Sequence, residues 1–261
     1  MSKIGFRTVG FREWPLQRGL QAIAACGYDG VELCLEHPEM RPEALPPEAC
    51  AGILAMVHQA GLEVASVSYH GDREDHAARA ANQLRAIEIT KALGNDVLIL
   101  NSEHVVAGET ARQWSEFVAL LRGELLPAAM EAGVVLAIEP EPGMYVHGTK
   151  EMLALLAEVD HPALAVNLDL GHAWLTDDDL AQSIRDLAPY LAHLHWEDFP
   201  TGEHRHLVPG EGDMPLAQLH AVLSEIGYDG YYTIDLFNIT DDPEAYARAS
   251  LGPTRTLLQG D

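Results

Sequence analysis

Positive charge is scarce in this chain: 16 lysines and arginines stand against 40 aspartates and glutamates, for a formal charge of -24. Such a field repels polyanions, so nucleic acid and anionic membrane surfaces are not expected partners. Cysteine is scarce too. Cys26, Cys34 and Cys50 are odd in number and form no C-x-x-C pair, which argues against a disulfide framework or a thiolate metal site. They read as small buried hydrophobes in a reducing compartment. No apolar run approaches the ~20 residues that span a bilayer. The N-terminal Met1-Ser2-Lys3-Ile4-Gly5-Phe6-Arg7 enters a strand pattern without a signal-peptide apolar region. These absences predict a cytoplasmic protein with no membrane partner. Low-complexity linkers and composition shifts are also lacking, so one domain is expected over 1–261.

What the chain does have is alternation. Apolar strand-like runs fall near 3–8, 30–35, 62–68, 96–101, 134–139, 163–169, 190–196 and 231–236. Amphipathic helix patterns fall near 15–26, 47–60, 76–93, 110–132, 149–159, 177–188, 215–226 and 243–258. Eight such alternations predict an α/β fold, a single (β/α)8 TIM barrel, for which ~250 residues is the usual length. Thr110, Thr149 and Thr176 stand where helix N-caps are expected, and Gly61, Gly94 and Gly133 where helices end. Gly27-Tyr28-Asp29-Gly30 and Gly227-Tyr228-Asp229-Gly230 repeat one turn before strands two and eight, which suggests equivalent turns at the barrel bottom.

Four runs in succession end in a side chain that can bind a hard cation. They are Val134-Val135-Leu136-Ala137-Ile138-Glu139, Ala165-Val166-Asn167-Leu168-Asp169, Leu191-Ala192-His193-Leu194-His195 and Tyr231-Tyr232-Thr233-Ile234-Asp235. In a closed parallel barrel these C-terminal strand ends open on one face, where barrels keep their chemistry. Three carboxylates and one imidazole suit Mn2+, Mg2+, Zn2+ or Co2+. His172 follows in the loop above strand six as a ligand, substrate contact or supporting group. His193 lies one layer deeper than His195 and reads as a hydrogen-bonded core histidine.

With these residues the chain resembles the xylose-isomerase-like barrels of sugar isomerases and epimerases, a superfamily shared with endonuclease IV. The resemblance rests on Tyr28-Asp29-Gly30-Val31-Glu32-Leu33, Ile138-Glu139-Pro140, Leu168-Asp169-Leu170-Gly171-His172, His193-Leu194-His195-Trp196-Glu197-Asp198 and Pro209-Gly210-Glu211-Gly212-Asp213, and spans nearly the whole chain. It implies a metal held by Glu139, Asp169, His195 and Asp235, with Glu139 and Asp235 also serving as the acid/base pair. Family members usually carry glutamate at the last place, so Asp235 is a departure. The implied chemistry is abstraction of a proton next to a carbonyl, with a divalent metal stabilising the enediolate. One base suffices for aldose–ketose isomerisation, two opposed bases allow epimerisation, and an inosose dehydratase-type lyase is compatible with the same site. The partner is a small sugar or polyol, and the resemblance admits a homo-oligomer.

Histidines are more numerous near the strand ends than one metal needs. His70, His104, His204 and His206 join His172 as candidates for substrate hydroxyl binding or additional metal. In the endonuclease IV branch comparable places complete a three-zinc cluster for phosphodiester hydrolysis, where His204 is a mismatch. The acidic balance disfavours that reading. A third alternative is a non-catalytic sugar- or metal-binding barrel. Substrate phosphate is not favoured, because no cationic cluster is visible; Arg73, Lys150 and Arg205 are scattered. Arg205 and Trp14 are the further substrate-binding candidates. Trp14, Phe11 and Trp196 each read either as an apolar wall for a sugar or as core.

Overall fold

The computed structural model describes residues 2–237 and 241–259. Its strands are Lys3–Arg7 (β1), Gly30–Cys34 (β2), Glu63–Ser68 (β3), Val97–Asn101 (β4), Val135–Glu139 (β5), Leu164–Asp169 (β6), Leu191–Trp196 (β7) and Tyr231–Ile234 (β8). All neighbouring pairs are parallel, and β8 returns to β1 through Ile4↔Tyr232 and Phe6↔Ile234, which closes the barrel. The strands read as near-continuous apolar runs because helices cover them on the outside while barrel neighbours fill the inside. No described helix is long and apolar enough to cross a membrane.

The helices are Leu16–Cys26 (α1), Pro47–Ala60 (α2), His76–Ala92 (α3), Thr110–Leu120 (α4), Leu126–Ala132 (α5), Thr149–Val159 (α6), Leu170–Thr176 (α7), Leu180–Leu187 (α8), Leu216–Glu225 (α9) and Pro243–Gln259 (α10). Leu20 and Ile23 of α1, Val57 of α2 and Leu155 of α6 are fully buried between this layer and the sheet. The repeated turn is built as the sequence suggests. Gly27 and Gly227 take φ of 100° and 76°, a region that favours glycine, and Asp29 Oδ2 accepts from Ile4 N at 2.9 Å.

Three local expectations change. The span 110–132 is two helices joined by a π turn over Leu121–Leu125, because Pro127 has no N–H to continue the α ladder. Thr110 and Thr149 are first helical residues rather than caps, preceded by Glu109 and Gly148. Thr176 does not cap either. Asp179 caps α8, its carboxylate accepting from Gln182 N at 3.0 Å, while Asp177 turns to the start of α6 and accepts from Thr149 N at 3.1 Å and Thr149 Oγ1 at 2.6 Å. The helix α7 was not expected, and it bears on the site.

Candidate active site

The C-terminal strand ends converge on a cavity of ≈120 Å³ at the barrel mouth. Glu139 ends β5, Asp169 ends β6, and His195 lies one residue before the end of β7. Their oxygens and ring nitrogen all lie within 4.8 Å of one another. His195 Nδ1 is 3.5 Å from both Glu139 Oε1 and Asp169 Oδ2. Asp235, just past β8, stands at the edge of this group, with Oδ2 at 3.9 Å from the same nitrogen. The four side chains named from the sequence are therefore brought together. All are buried to 1 % exposure or less.

Asp169 shapes the site twice. Its Oδ1 caps α7, accepting from His172 N at 2.7 Å, and this turn swings His172 over the cavity, its Nδ1 at 3.4 Å from Glu139 Oε1. Its Oδ2 has no hydrogen-bond partner. Gly171 makes the turn fit: a Cβ there would meet the Phe199 ring at 2.2 Å. Burial works against the Asp169 carboxylate, but His172 and His195 outweigh it and hold its pKa low. Burial works against the charged His70 ring as well, yet its contacts with Glu139 and Glu36 lift it to about 9.

Four groups that sequence reasoning left without a role, Glu32, Arg7, Asn167 and Glu197, hold the site together. Glu32 of β2, fully buried, accepts from Ser66 Oγ at 2.8 Å and pairs through Oε2 with His195 Nε2 at 2.9 Å. With Nε2–H directed at a carboxylate, His195 Nδ1 is the nitrogen left for a ligand role, the usual way an outer carboxylate orients a metal-binding imidazole. Arg7, at the end of β1, ion-pairs with Glu32 Oε1 at 2.7 Å and with Asp235 Oδ2. Burial alone would raise the Glu32 pKa; Arg7 and His195 keep it well below the usual carboxylate range. Asn167 Nδ2 donates to Glu139 Oε2 at 3.1 Å. Glu197 is buried, accepts from Gly171 N at 2.8 Å, and has its pKa pushed well up by burial and by Asp169 and Asp235. Only their i, i+2 spacing from Asp169 and His195 could have flagged Asn167 and Glu197.

The surplus histidines divide. His172, His204 and His206 present nitrogens within 4.8 Å of one another, and His70 lines the same cavity. Burial lowers the pKa of both His204 and His206. His193 contacts Ser66 Oγ at 3.2 Å in the barrel interior, and burial drives its pKa down to about 3. His104 does not line the cavity. It bridges to Met144, and its carbonyl accepts from Gln113 Nε2 at 2.8 Å. Arg205 is exposed beside Glu203. Trp14 packs edge-on against Phe11 with Arg18 over its ring at 3.6 Å, and it too lies outside the cavity lining. Phe11 and Trp196 are core. The motif Pro209–Asp213 wraps Asp198, whose carboxylate accepts from Gly210 N at 2.9 Å and Met214 N at 3.1 Å, and so anchors the loop that carries His206.

A hard cation fits this donor set. Asp169 Oδ2, Asp235 Oδ1 and His172 Nδ1 are buried polar atoms without partners, an arrangement that a ligand would satisfy.

The chain is 27% identical to fructoselysine 3-epimerase of Shigella flexneri over 287 residues, covering 99% of each chain. It is 23% identical to L-ribulose-5-phosphate 3-epimerase of Escherichia coli over 242 residues, 87% of this chain and 84% of that one. The crystal structure of 3-keto-D-glucoside 4-epimerase from E. coli superposes with a TM-score of 0.81 at 20% identity, over 98% of this chain and 100% of the other. Residues 20–257 match the family described as xylose isomerase-like TIM barrel, and the chain belongs to that family.

Proposed function

We propose that this chain is a divalent-metal-dependent keto-sugar isomerase or epimerase that moves a proton at the carbon next to a carbonyl. The observation that carries the reading is the meeting of Glu139, Asp169 and His195 within 4.8 Å, with Asp235 beside them. Glu139, Asp169, His195 and Asp235 would hold Mn2+, Mg2+, Zn2+ or Co2+, which supplies Lewis acidity at a carbonyl and its neighbouring hydroxyl when bound. Glu139 takes the α-proton as general base, and Asp235, entering the cycle protonated, delivers its own proton to the carbon, so that the two carboxyl groups exchange protonation states. A second carboxylate that can deliver a proton favours epimerisation over one-base isomerisation, and relatives named as 3-epimerases support this. His172, with His70 and His206, orients substrate hydroxyls at the cavity wall. Glu32 and Asn167 fix the rings and carboxylates that do the work.

The phosphoesterase alternative retains one supporting observation, the His172, His204 and His206 group, which could hold an additional metal. Three features favour the sugar reading: the acidic excess, the exposed position of Arg205 and the epimerase relatives. The deciding experiment incubates the protein with Mn2+ and a panel of ketoses, inososes and hydroxy-keto acids in D2O and follows the products by NMR. Deuterium at the carbon next to the carbonyl is expected; nicking of abasic DNA with no exchange into any ketose would reverse the reading.

A further inference from the structure

The two oxygens of Glu139 face different groups. Oε1 looks toward the ligand cluster, 3.5 Å from His195 Nδ1 and 3.4 Å from His172 Nδ1. Oε2 accepts from Asn167 Nδ2 at 3.1 Å and from His70 Nε2–H at 3.3 Å. A carboxylate oxygen offers about two lone pairs in its plane, so both places on Oε2 are taken. With Oε1 turned to the other ligands, Oε2 is the oxygen left for the α-proton, and one of the two donors has to give way to it. Asn167 is fully buried within β6. His70 stands on the loop after β3, its side chain 13% exposed at the cavity wall. His70 is therefore the donor that can move.

What fixes His70 is its main chain. Leu35 N donates to the Ser68 carbonyl at 2.8 Å and Tyr69 N to the Ile99 carbonyl at 2.9 Å, so the parallel ladders continue one residue past β2 and β3 and bring Glu36 beside His70. Glu36 Oε1 accepts from His70 N and, at 3.4 Å, from Gly71 N, and it lies 3.8 Å from His70 Nδ1. From the other side Arg79 Nε donates to the His70 carbonyl at 2.8 Å. Arg79 also binds the carbonyls of Asn101 and Ser102, whereas among the described residues the hydrogen bonds of the Glu36 side chain go to His70 and Gly71 alone. We propose that Glu36 is a positioning residue for proton transfer: it holds His70 where the imidazole aligns Glu139 Oε2 in the resting site and yields that oxygen as the α-proton arrives. The inference rests on the keto-sugar reading, in which Glu139 is the base.

The test measures deuterium incorporation into a ketose with Mn2+ present for Glu36→Ala, Glu36→Gln, His70→Ala and the double alanine variant. Glu36→Ala is expected to lower kcat about 3- to 10-fold, the worth of one hydrogen bond, with KM close to that of the parent. Glu36→Gln keeps an acceptor oxygen in place and should retain most of the rate. On the His70→Ala background the loss of Glu36 should add nothing, because a residue that acts through another has no effect once that one is gone. A role confined to folding would instead multiply with His70→Ala and lower the urea midpoint in step. Proton NMR of the Mg2+-loaded protein reads the same contact without turnover. The His70 Nε2–H resonance, identified by its loss in His70→Ala, should persist in Glu36→Gln and disappear in Glu36→Ala. Parental kcat in Glu36→Ala, equal losses on both backgrounds, or an Nε2–H signal that survives in Glu36→Ala would overturn the positioning role. Absence of exchange with every ketose, with the NMR pattern as expected, would overturn the keto-sugar reading while confirming the hold of Glu36 on His70.

Discussion

Strands β5 to β8 end near Glu139, Asp169, His195 and Asp235, whereas β1 to β4 end in Arg7, Cys34, Ser68 and Asn101. The first half of this contrast brings lone pairs to the cavity. The second brings a cation and neutral donors, and its charged acceptor, Glu32, sits below the rim and faces His195. Unpartnered atoms are more numerous on that later side: among the described residues Asp169 Oδ2, Asn167 Oδ1, Asp235 Oδ1, His172 Nδ1 and Glu197 Oε2 lie on β6 to β8 and their loops, against Ser68 Oγ at the end of β3 and Arg7 Nε on β1. A barrel closed by β1 against β8 lets one half stay chemically unsatisfied while the other holds it in place.

The largest effect expected from breaking that division lies in the reactive half. Glu139→Gln keeps the shape and removes the base. Proton exchange should fall about 10²- to 10⁴-fold, the range for a general acid–base group, while the urea unfolding midpoint stays close to that of the parent. Full exchange activity in this variant with metal present would remove Glu139 from the chemistry. In the supporting half, Arg7→Met takes the one cation from between Glu32 and Asp235, both buried. Breaking a buried pair this way lowers stability by about 3–5 kcal/mol, measured by urea denaturation. A loss below about 1 kcal/mol would mean that other groups balance the two carboxylates and that the halves are less dependent than their contacts suggest.

A smaller effect is expected from Gly171→Ala. Its new methyl would fall on the Phe199 ring, which is fully buried and has no open side to move into. Overpacking of this kind removes about 1–3 kcal/mol and should shift α7, and with it His172. The expected result is weaker Mn2+ binding by calorimetry together with the stability loss. Stability lost with metal affinity unchanged would separate α7 from the ligand positions.

The same contrast explains what was legible in the sequence. Strands β5 to β8 announce themselves because a carboxylate or imidazole follows an apolar run, so Glu139, Asp169, His195 and Asp235 could be named without coordinates. Arg7 and Glu32 carry no such mark. Their significance depends on barrel closure, which sets Arg7 beside a residue 228 positions away. Loop positions were the least legible. Trp14, His104 and Arg205 have suitable chemistry near the right strand ends, but backbone geometry turns each of them away from the cavity. The helix α7 was missed because its N-cap is the same Asp169 that ends β6, so no separate start signal exists. Capping by Asp177 across to α6 was equally invisible, since the donor lies 28 residues away.

The smallest expected effect concerns His37, in the loop after β2 and therefore in the supporting half. Its Nδ1 accepts from Glu39 N at 3.2 Å, and its Nε2–H is left to donate to the Trp14 carbonyl at 3.1 Å. Burial lowers its proton affinity, because a charged ring would lose solvent and also the bond at Nδ1. Above the unfolded histidine value of about 6.5 neither state is protonated and its contribution to stability is complete. As pH falls below that value the unfolded chain takes up a proton that the folded one refuses, so stability drops. Urea denaturation at pH 7.5 and pH 5.5 should show a loss on acidification that is larger in the parent than in His37→Gln. Equal losses in the two proteins would place the acid sensitivity of this half elsewhere, and would make Trp14 a residue held by packing against Phe11 and Arg18 alone.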